Sequence, residues 1–257
     1  MNRIFEYITV EKTEDVATII LNRQPLNILN IAMLREINFA LEWLASDHAL
    51  RLLVITGRGK AFSAGVDVAE HLPDKAEEML AVFQQTFDLL GTIESPIIAA
   101  INGAALGGGF EIAVFCDIVI AAESAKIGQP EIKLATLPPV AAVLFPRLCG
   151  LKRAMELLLT GETITAREAE RIGLITRAVA DTDLQREVEA MTKKLSSLSP
   201  AALRLTKRAI LENADNHLHD GLRAADDICL DMLLNLGDSE EGLRAFLEKR
   251  PPRWRDL

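Results

Sequence analysis

The sequence is poor in the residues that build metal centres, disulfide frameworks and membrane spans. Its 257 residues include three cysteines and four histidines. Cys116, Cys149 and Cys229 lie far apart and form no CxxC pair. They read as buried thiols of a reducing compartment, not as disulfides or zinc ligands. His48, His71, His217 and His219 fall in polar stretches, and the closest two have a spacing that does not put them on one helix face. No block of basic residues occurs, and the net charge is −9, so a nucleic-acid partner has no electrostatic support. No apolar run reaches the roughly 18 residues a membrane span needs. Met1-Asn2-Arg3-Ile4-Phe5-Glu6 lacks the apolar core of a secretion signal, so a cytoplasmic location is expected. Nucleotide and nucleophile fingerprints are missing too. Gly57-Arg58-Gly59 and Gly107-Gly108-Gly109 do not complete GxGxxG, and neither a P-loop nor a Gly-x-Ser-x-Gly elbow occurs. Ser63 has no histidine motif to activate it. Any chemistry must therefore rest on carboxylates and backbone N–H groups, with no cofactor and no metal expected.

Hydrophobic residues make up 49% and charged residues 25%, the composition of an ordinary globular protein. The length suits one large domain or a domain with an appendage. Ile8 to Val10 and Val16 to Leu21 predict strands around a turn at Thr13-Glu14-Asp15. Helical spacing follows over Ile31 to Ala45, then an apolar strand over Arg51 to Thr56 and a loop from Gly57 to Lys60. Met79 to Ile93 reads as a helix, Pro96 to Ile101 as a strand, Gly108 to Phe115 as a helix and Ile118 to Ala122 as a strand. This alternation predicts an α/β class with a largely parallel sheet. Beyond Pro138 the pattern is helical, over Val140 to Leu148, Leu151 to Leu159, Ala166 to Ile172, Leu184 to Leu195, Pro200 to Glu212, Leu218 to Leu236 and Ser239 to Lys249. One strand, Leu174 to Ala178, interrupts it. Ser199-Pro200 suits an N-cap and first helical position. We divide the chain into 1–198, a core, and 199–257, a helical region whose apolar stripes (Leu203, Ile210, Leu222, Leu230) need a surface to pack on.

Two segments carry the chemistry. Ala104-Ala105-Leu106-Gly107-Gly108-Gly109-Phe110-Glu111 follows the apolar strand of Pro96 to Ile101 and reads as a glycine turn and a helix start. Glycines let a ligand approach main-chain N–H groups. A helix start adds unpaired donors and partial positive charge, a site suited to an oxyanion. Glu111 then stands about one turn from Gly108. The second segment, Gly128-Gln129-Pro130-Glu131, offers another carboxylate beside proline. Each has a structural reading as well: a first-turn Glu suits the helix dipole, and Pro-Glu is a common helix opening.

Taken together with Phe62-Ser63-Ala64-Gly65-Val66-Asp67, Leu21-Asn22-Arg23, Leu159-Thr160-Gly161 and Phe246-Leu247-Glu248-Lys249-Arg250, these segments resemble, in order and spacing and over nearly the whole chain, the crotonase (enoyl-CoA hydratase) superfamily. The resemblance implies a ββα spiral core, a C-terminal helical trimerisation region forming a homo-trimer or hexamer, and an acyl-CoA thioester substrate, with coenzyme A entering as part of that substrate. It implies oxyanion N–H donors at Val66 and Gly108. It also implies two catalytic carboxylates, Glu111 as ionised base and Glu131 as proton donor, and retention of both points to water addition. Residues implied around the CoA moiety are Ala64, Leu26, Arg23 and Lys249, with Arg58, Lys60 and Arg250 as further candidate cations. The loop Arg23-Gln24-Pro25-Leu26-Asn27 is shorter than the family's usual one.

One departure bears on substrate. Common family hydratases follow the second glutamate with a glycine-rich segment, and here stands Leu137-Pro138-Pro139-Val140-Ala141-Ala142-Val143. Prolines and branched residues predict a stiffer acyl pocket. In this the chain most resembles cyclohexa-1,5-diene-1-carbonyl-CoA hydratases of anaerobic benzoate degradation. The alternatives are a general short-chain enoyl-CoA hydratase, an enoyl-CoA isomerase, and a non-catalytic CoA- or RNA-binding scaffold. Water incorporation separates hydratase from isomerase, and an RNA filter-binding test at physiological salt addresses the scaffold.

Overall fold

One unit repeats along the first half of the chain: a long apolar strand, a short strand, a helix. The computed structural model describes residues 4–13 and 15–256. Glu14, in the turn expected at Thr13 to Asp15, lies outside them, as do Met1 to Arg3. Strands β1 (Ile8–Lys12) and β2 (Val16–Leu21) pair antiparallel and lead into helix α1 (Ile31–Ala45), capped by the Asn30 side chain. The unit itself begins with β3 (Leu52–Gly57), β4 (Ala61–Ser63) and α2 (Ala76–Thr92), and recurs as β5 (Ile97–Ile101), β6 (Ala104–Leu106) and α3 (Gly108–Phe115). A third copy, β7 (Ile118–Ala122) and β8 (Lys126–Gly128), continues through a 3₁₀ turn, Pro130–Leu134, into α4 (Pro139–Cys149) and α5 (Leu151–Thr160). Next come β9 (Thr163–Thr165), α6 (Ala166–Arg171), β10 (Arg177–Val179) and α7 (Leu184–Ser196). The helices α8 (Pro200–Asn213), α9 (Leu218–Asp227) and α10 (Gly237–Leu247) close the chain.

The long strands form a six-stranded sheet, β1-β2-β3-β5-β7-β10, parallel from β2 onward. The short strands form a second sheet, β4-β6-β8-β9, parallel except for its last pair. This is a mixed α/β fold, as the alternation predicts. The central strands β3, β5 and β7 of the first sheet are buried on both faces, which explains their continuous apolar runs. Leu53, Ile55, Ile97, Ala99 and Val119 join the main core with α1, α2 and α3. Their neighbours Val54, Ile98, Ala100 and Ile120 face the other way, under Leu184, Val188 and Met191 of α7.

The structure corrects several expected boundaries. The four short strands have no counterpart in the sequence reading, because three-residue segments carry too little periodicity to register. The strand expected at Leu174 to Ala178 pairs only over Arg177–Val179, since the first part of that stretch belongs to the turn closing α6. The single helix expected over Leu218 to Leu236 is α-helical only to Asp227, then widens to a π turn at Ile228–Met232 and tightens to 3₁₀ at Leu233–Asn235. The final helix runs Gly237–Leu247 rather than Ser239 to Lys249.

A partly buried cation ties the helical region to the core. Lys207 Nζ on α8 donates to the carbonyls of Ile93 (2.9 Å) and Ser95 (3.1 Å) and pairs with Asp117 at 2.8 Å. Beyond α10 the tail folds back, and Trp254 Nε1 donates to Ser197 O at 2.8 Å.

Candidate active site

The glycine turn leads from the short-strand sheet straight into a helix. Gly107 has φ 51° and ψ −137°, a region open to glycine alone among common residues. Its N–H is paired with Gly128 O at 3.0 Å, and its carbonyl accepts from Phe110 (2.8 Å) and Glu111 (3.0 Å). Gly108 opens α3, so its N–H is one of the helix-start donors without a partner inside the helix.

The loop before Val66 approaches the same point. Leu29 N–H donates to Gly65 O and Asp67 N–H to Leu29 O, both at 2.9 Å. This bridge engages the groups on either side of Val66 and directs the Val66 N–H away from Leu29. A Cβ on Gly65 would lie 3.7 Å from Gly108 N, and a Cβ on Gly108 would lie 2.6 Å from Val66 Cγ2. The two expected oxyanion donors are therefore neighbours, brought together from two strand ends.

Both carboxylates stand at this point. Glu111 is 1% exposed, and its Oε1 accepts from the N–H groups of Val140 (2.9 Å) and Ala141 (2.8 Å), the start of α4. The proline-rich segment thus opens a helix whose first N–H groups hold this carboxylate. Pro139 fits there because the first helical position needs no N–H partner. Burial pushes the Glu111 carboxyl up to about 7; the Ala141 and Val140 N–H groups oppose that rise, and the Glu131 charge adds to it. Glu131 sits on the 3₁₀ turn after β8. A Cβ on Gly107 would come within 2.5 Å of its Oε1, so its carboxylate lies over the glycine turn. Gln129, 1% exposed, turns its amide towards it; with the NH₂ on that side it donates to both oxygens at 3.2 Å. Burial raises the Glu131 carboxyl too. The rise is large for Glu111, the more deeply buried of the two.

Two N–H donors and two raised carboxyls around one apolar turn can stabilise a developing oxyanion and move a proton beside it. Residues 11–257 match the enoyl-CoA hydratase/isomerase family. The chain belongs to that family. Among its relatives, the Syntrophomonas wolfei crotonyl-CoA hydratase is 40% identical over 252 residues, covering 96% of each chain. The Mycobacterium bovis protein named probable enoyl-CoA hydratase echA8 is 40% identical over 254 residues, covering 97% of this chain and 98% of the relative. The crystal structure of an enoyl-CoA hydratase from Bacillus anthracis superposes with a TM-score of 0.93 at 36% identity, over 98% of this chain and all of that one, 100%.

The other residues that family membership makes candidates are placed unevenly. Ala64 and Leu26 are joined, Ala64 N–H donating to Leu26 O at 2.9 Å, at the rim beside Gly65. Arg23 is spent on the loop itself: it donates to Ile28 O at 2.9 Å and faces Asp67 at 3.7 Å. Arg250 is held by Glu241 and Glu248. Lys249 is exposed at the end of α10, which packs on α8, while Arg58 and Lys60 are exposed in the loop after β3. Ser63 has a structural task, since its buried Oγ accepts from Gly65 N–H at 3.1 Å. Sequence reading missed Asn27. It is fully buried with φ 52°, its amide donates to the carbonyls of Arg58, Ala61 and Phe62 (3.0, 2.8 and 3.1 Å), and its Oδ1 accepts from Arg23 N–H at 2.9 Å. An Asn next to a proline loop is the one signal for it, because Asn tolerates the left-handed region. Among the described residues no helix is long and apolar enough to cross a membrane, and no cluster of His, Cys, Asp or Glu could hold a metal ion.

Proposed function

We propose that the protein is a hydro-lyase that adds water to a conjugated enoyl-CoA thioester, and that its substrate is cyclohexa-1,5-diene-1-carbonyl-CoA, giving 6-hydroxycyclohex-1-ene-1-carbonyl-CoA. The observation that carries the reading is the convergence of Glu111 and Glu131 on the Gly107–Gly108 turn. The thioester oxygen binds between the N–H groups of Val66 and Gly108. Oxygen of a water held by the carboxylates bonds to the β-carbon while Glu111 takes its proton. The electron pair of the double bond moves into an enolate whose oxygen the two donors stabilise, each typically worth about 10²–10³ in rate. Glu131 then gives its proton to carbon. In the ring diene the anion extends to the far carbon, which takes that proton. Glu111, with a carboxyl near neutrality, is matched to take up and release a proton at physiological pH. The stiff first turn of α4 suits a flat ring.

The test is a panel of enoyl-CoA and cyclic dienoyl-CoA esters assayed for water incorporation. Faster turnover of the ring diene supports the full reading. The 40% identical crotonyl-CoA hydratase favours a second one, a general short-chain enoyl-CoA hydratase, and faster turnover of crotonyl-CoA selects it. Double-bond migration without water uptake selects an isomerase. The same proposal has the protein acting in the cytoplasm as a trimer or hexamer assembled through the region after residue 198.

A further inference from the structure

Gly108 is held in place by a chain of contacts that starts two helices away. Phe83 on α2 is 3% exposed, and its ring edge lies against Gly108: a Cβ there would meet Phe83 Cζ at 2.9 Å and Cε2 at 3.2 Å. The ring cannot withdraw. Phe87 packs edge-on to it at 4.9 Å, and Phe115, at the far end of α3, packs on Phe87 at 5.3 Å. Phe83 and Phe87 therefore run along α3 from its first residue to its last.

What sets the register of α2 against this helix is polar. Asn38 on α1 is 4% exposed, and Thr86 on α2 is fully buried. Asn38 Nδ2 donates to Val82 O at 3.0 Å, and Thr86 Oγ1 donates to Asn38 Oδ1 at 2.7 Å. Val82 and Thr86 bracket Phe83 in sequence. Beyond the pair, α1 and α2 are joined by a longer bond from Asn38 Nδ2 to Gln85 Oε1 (3.3 Å), an exposed Arg35–Glu78 ion pair (2.6 Å) and apolar packing, and apolar side chains in place of the buried pair would hold the helices together as well or better. A buried polar pair instead permits one register. Shifting α2 along α1 by a residue breaks both bonds and takes the Phe83 ring off Gly108.

We infer that Asn38 and Thr86, acting through Phe83, are positioning residues for the Gly108 N–H, fixing the oxyanion donor rather than the stability of the fold. The kinetic half of this inference rests on the hydration reading; the structural half does not. The experiment compares wild type with the double variant Asn38→Leu/Thr86→Val and with Phe83→Ala and Phe83→Leu. Hydrogen exchange is followed by mass spectrometry at the first turn of α3, where Phe110 and Glu111 N–H pair with Gly107 O, alongside melting temperature, kcat and KM. In the double variant the melting temperature should stay at or above wild type, exchange at the α3 start should quicken at least tenfold while α7 is unchanged, and kcat should fall about tenfold with KM held within twofold. Phe83→Ala should quicken that exchange and lower kcat in the same way, with a lower melting temperature from the cavity it leaves, and Phe83→Leu should recover part of the loss. Wild-type exchange at the α3 start in these folded variants overturns the inference, as does a melting temperature of the double variant that falls in step with its kcat. If wild type hydrates no enoyl-CoA, the functional reading fails and the exchange comparison still decides this one.

Discussion

Glu131 Oε1 occupies space that a side chain on Gly107 would need, 2.5 Å from where its Cβ would stand. The carboxylate and the helix start share one volume because residue 107 has no side chain. Gly107→Ala should therefore do two kinds of damage. It forces φ 51°, ψ −137° on a residue that resists it, at a cost of about 1–3 kcal/mol, and it pushes Glu131 off the turn. We expect a melting temperature several degrees lower and a loss of turnover much larger than that change explains. Calorimetry and steady-state kinetics on one preparation check it, and normal turnover would remove Glu131 from the proton-transfer role.

Glu111→Gln and Glu131→Gln should each cut turnover about 10²-fold or more while acyl-CoA affinity stays close to wild type, since general acid–base groups contribute roughly 10²–10⁴. Gln keeps an oxygen for the Val140 and Ala141 donors, so the site should stay assembled. Stopped-assay kinetics together with binding of a saturated acyl-CoA separates lost chemistry from lost binding.

The pH dependence follows from the Glu111 environment. Acting as a base it must be ionised, so kcat/KM should rise with pH through about 7, the value to which burial lifts its carboxyl. The folded value lies above the ordinary 4.5, so the folded state holds that proton more tightly than the unfolded chain. The stability contribution is fully present below about 4.5 and is lost as pH rises through about 7. Glu111→Gln removes the penalty, and at pH 8 it should melt higher than wild type by a few degrees, corresponding to about 1–3 kcal/mol. Equal melting temperatures at pH 8 would show that the carboxylate is well solvated.

Substrate choice should follow the α4 start. We expect the cyclic dienoyl-CoA to be hydrated with a much higher kcat/KM than crotonyl-CoA, and deuterium from D₂O to enter the ring carbon distal to the new hydroxyl. Label beside the carbonyl, or a preference for crotonyl-CoA, would sink the ring-diene reading and leave the general hydratase.

The chain alone leaves much apolar surface in water. Its accessible area is 13828 Å², against roughly 11,000 Å² expected for a folded monomer of this mass. Leu218, Phe246 and Leu247 are 80%, 84% and 78% exposed. Symmetric closure would cover such surface, so light scattering at micromolar concentration should give at least a trimer, and Leu218→Asp with Phe246→Asp should shift it to smaller species. A monomeric wild type would contradict the assembly proposal.

The sequence by itself determined the class of fold and marked the segments of the candidate site. Continuous apolar strands alternating with helical spacing could only be a buried, largely parallel sheet, and Gly107 to Glu111 announced a helix start with a carboxylate one turn in. These signals are local, carried by residue type and spacing over a few positions. Tertiary structure decided what depends on distant segments meeting: that the Val66 and Gly108 loops touch, that Val140 and Ala141 hold Glu111, that Arg23 and Arg250 are spent on neighbours. It also decided the four short strands, whose pairing comes from the neighbouring strand, not from their own three residues. The proline segment shows the division most clearly. Its stiffness was legible in its composition, but only the fold reveals that its helix start points at a glutamate 29 residues earlier, because hydrogen bonds across such separations are set by packing rather than by pattern.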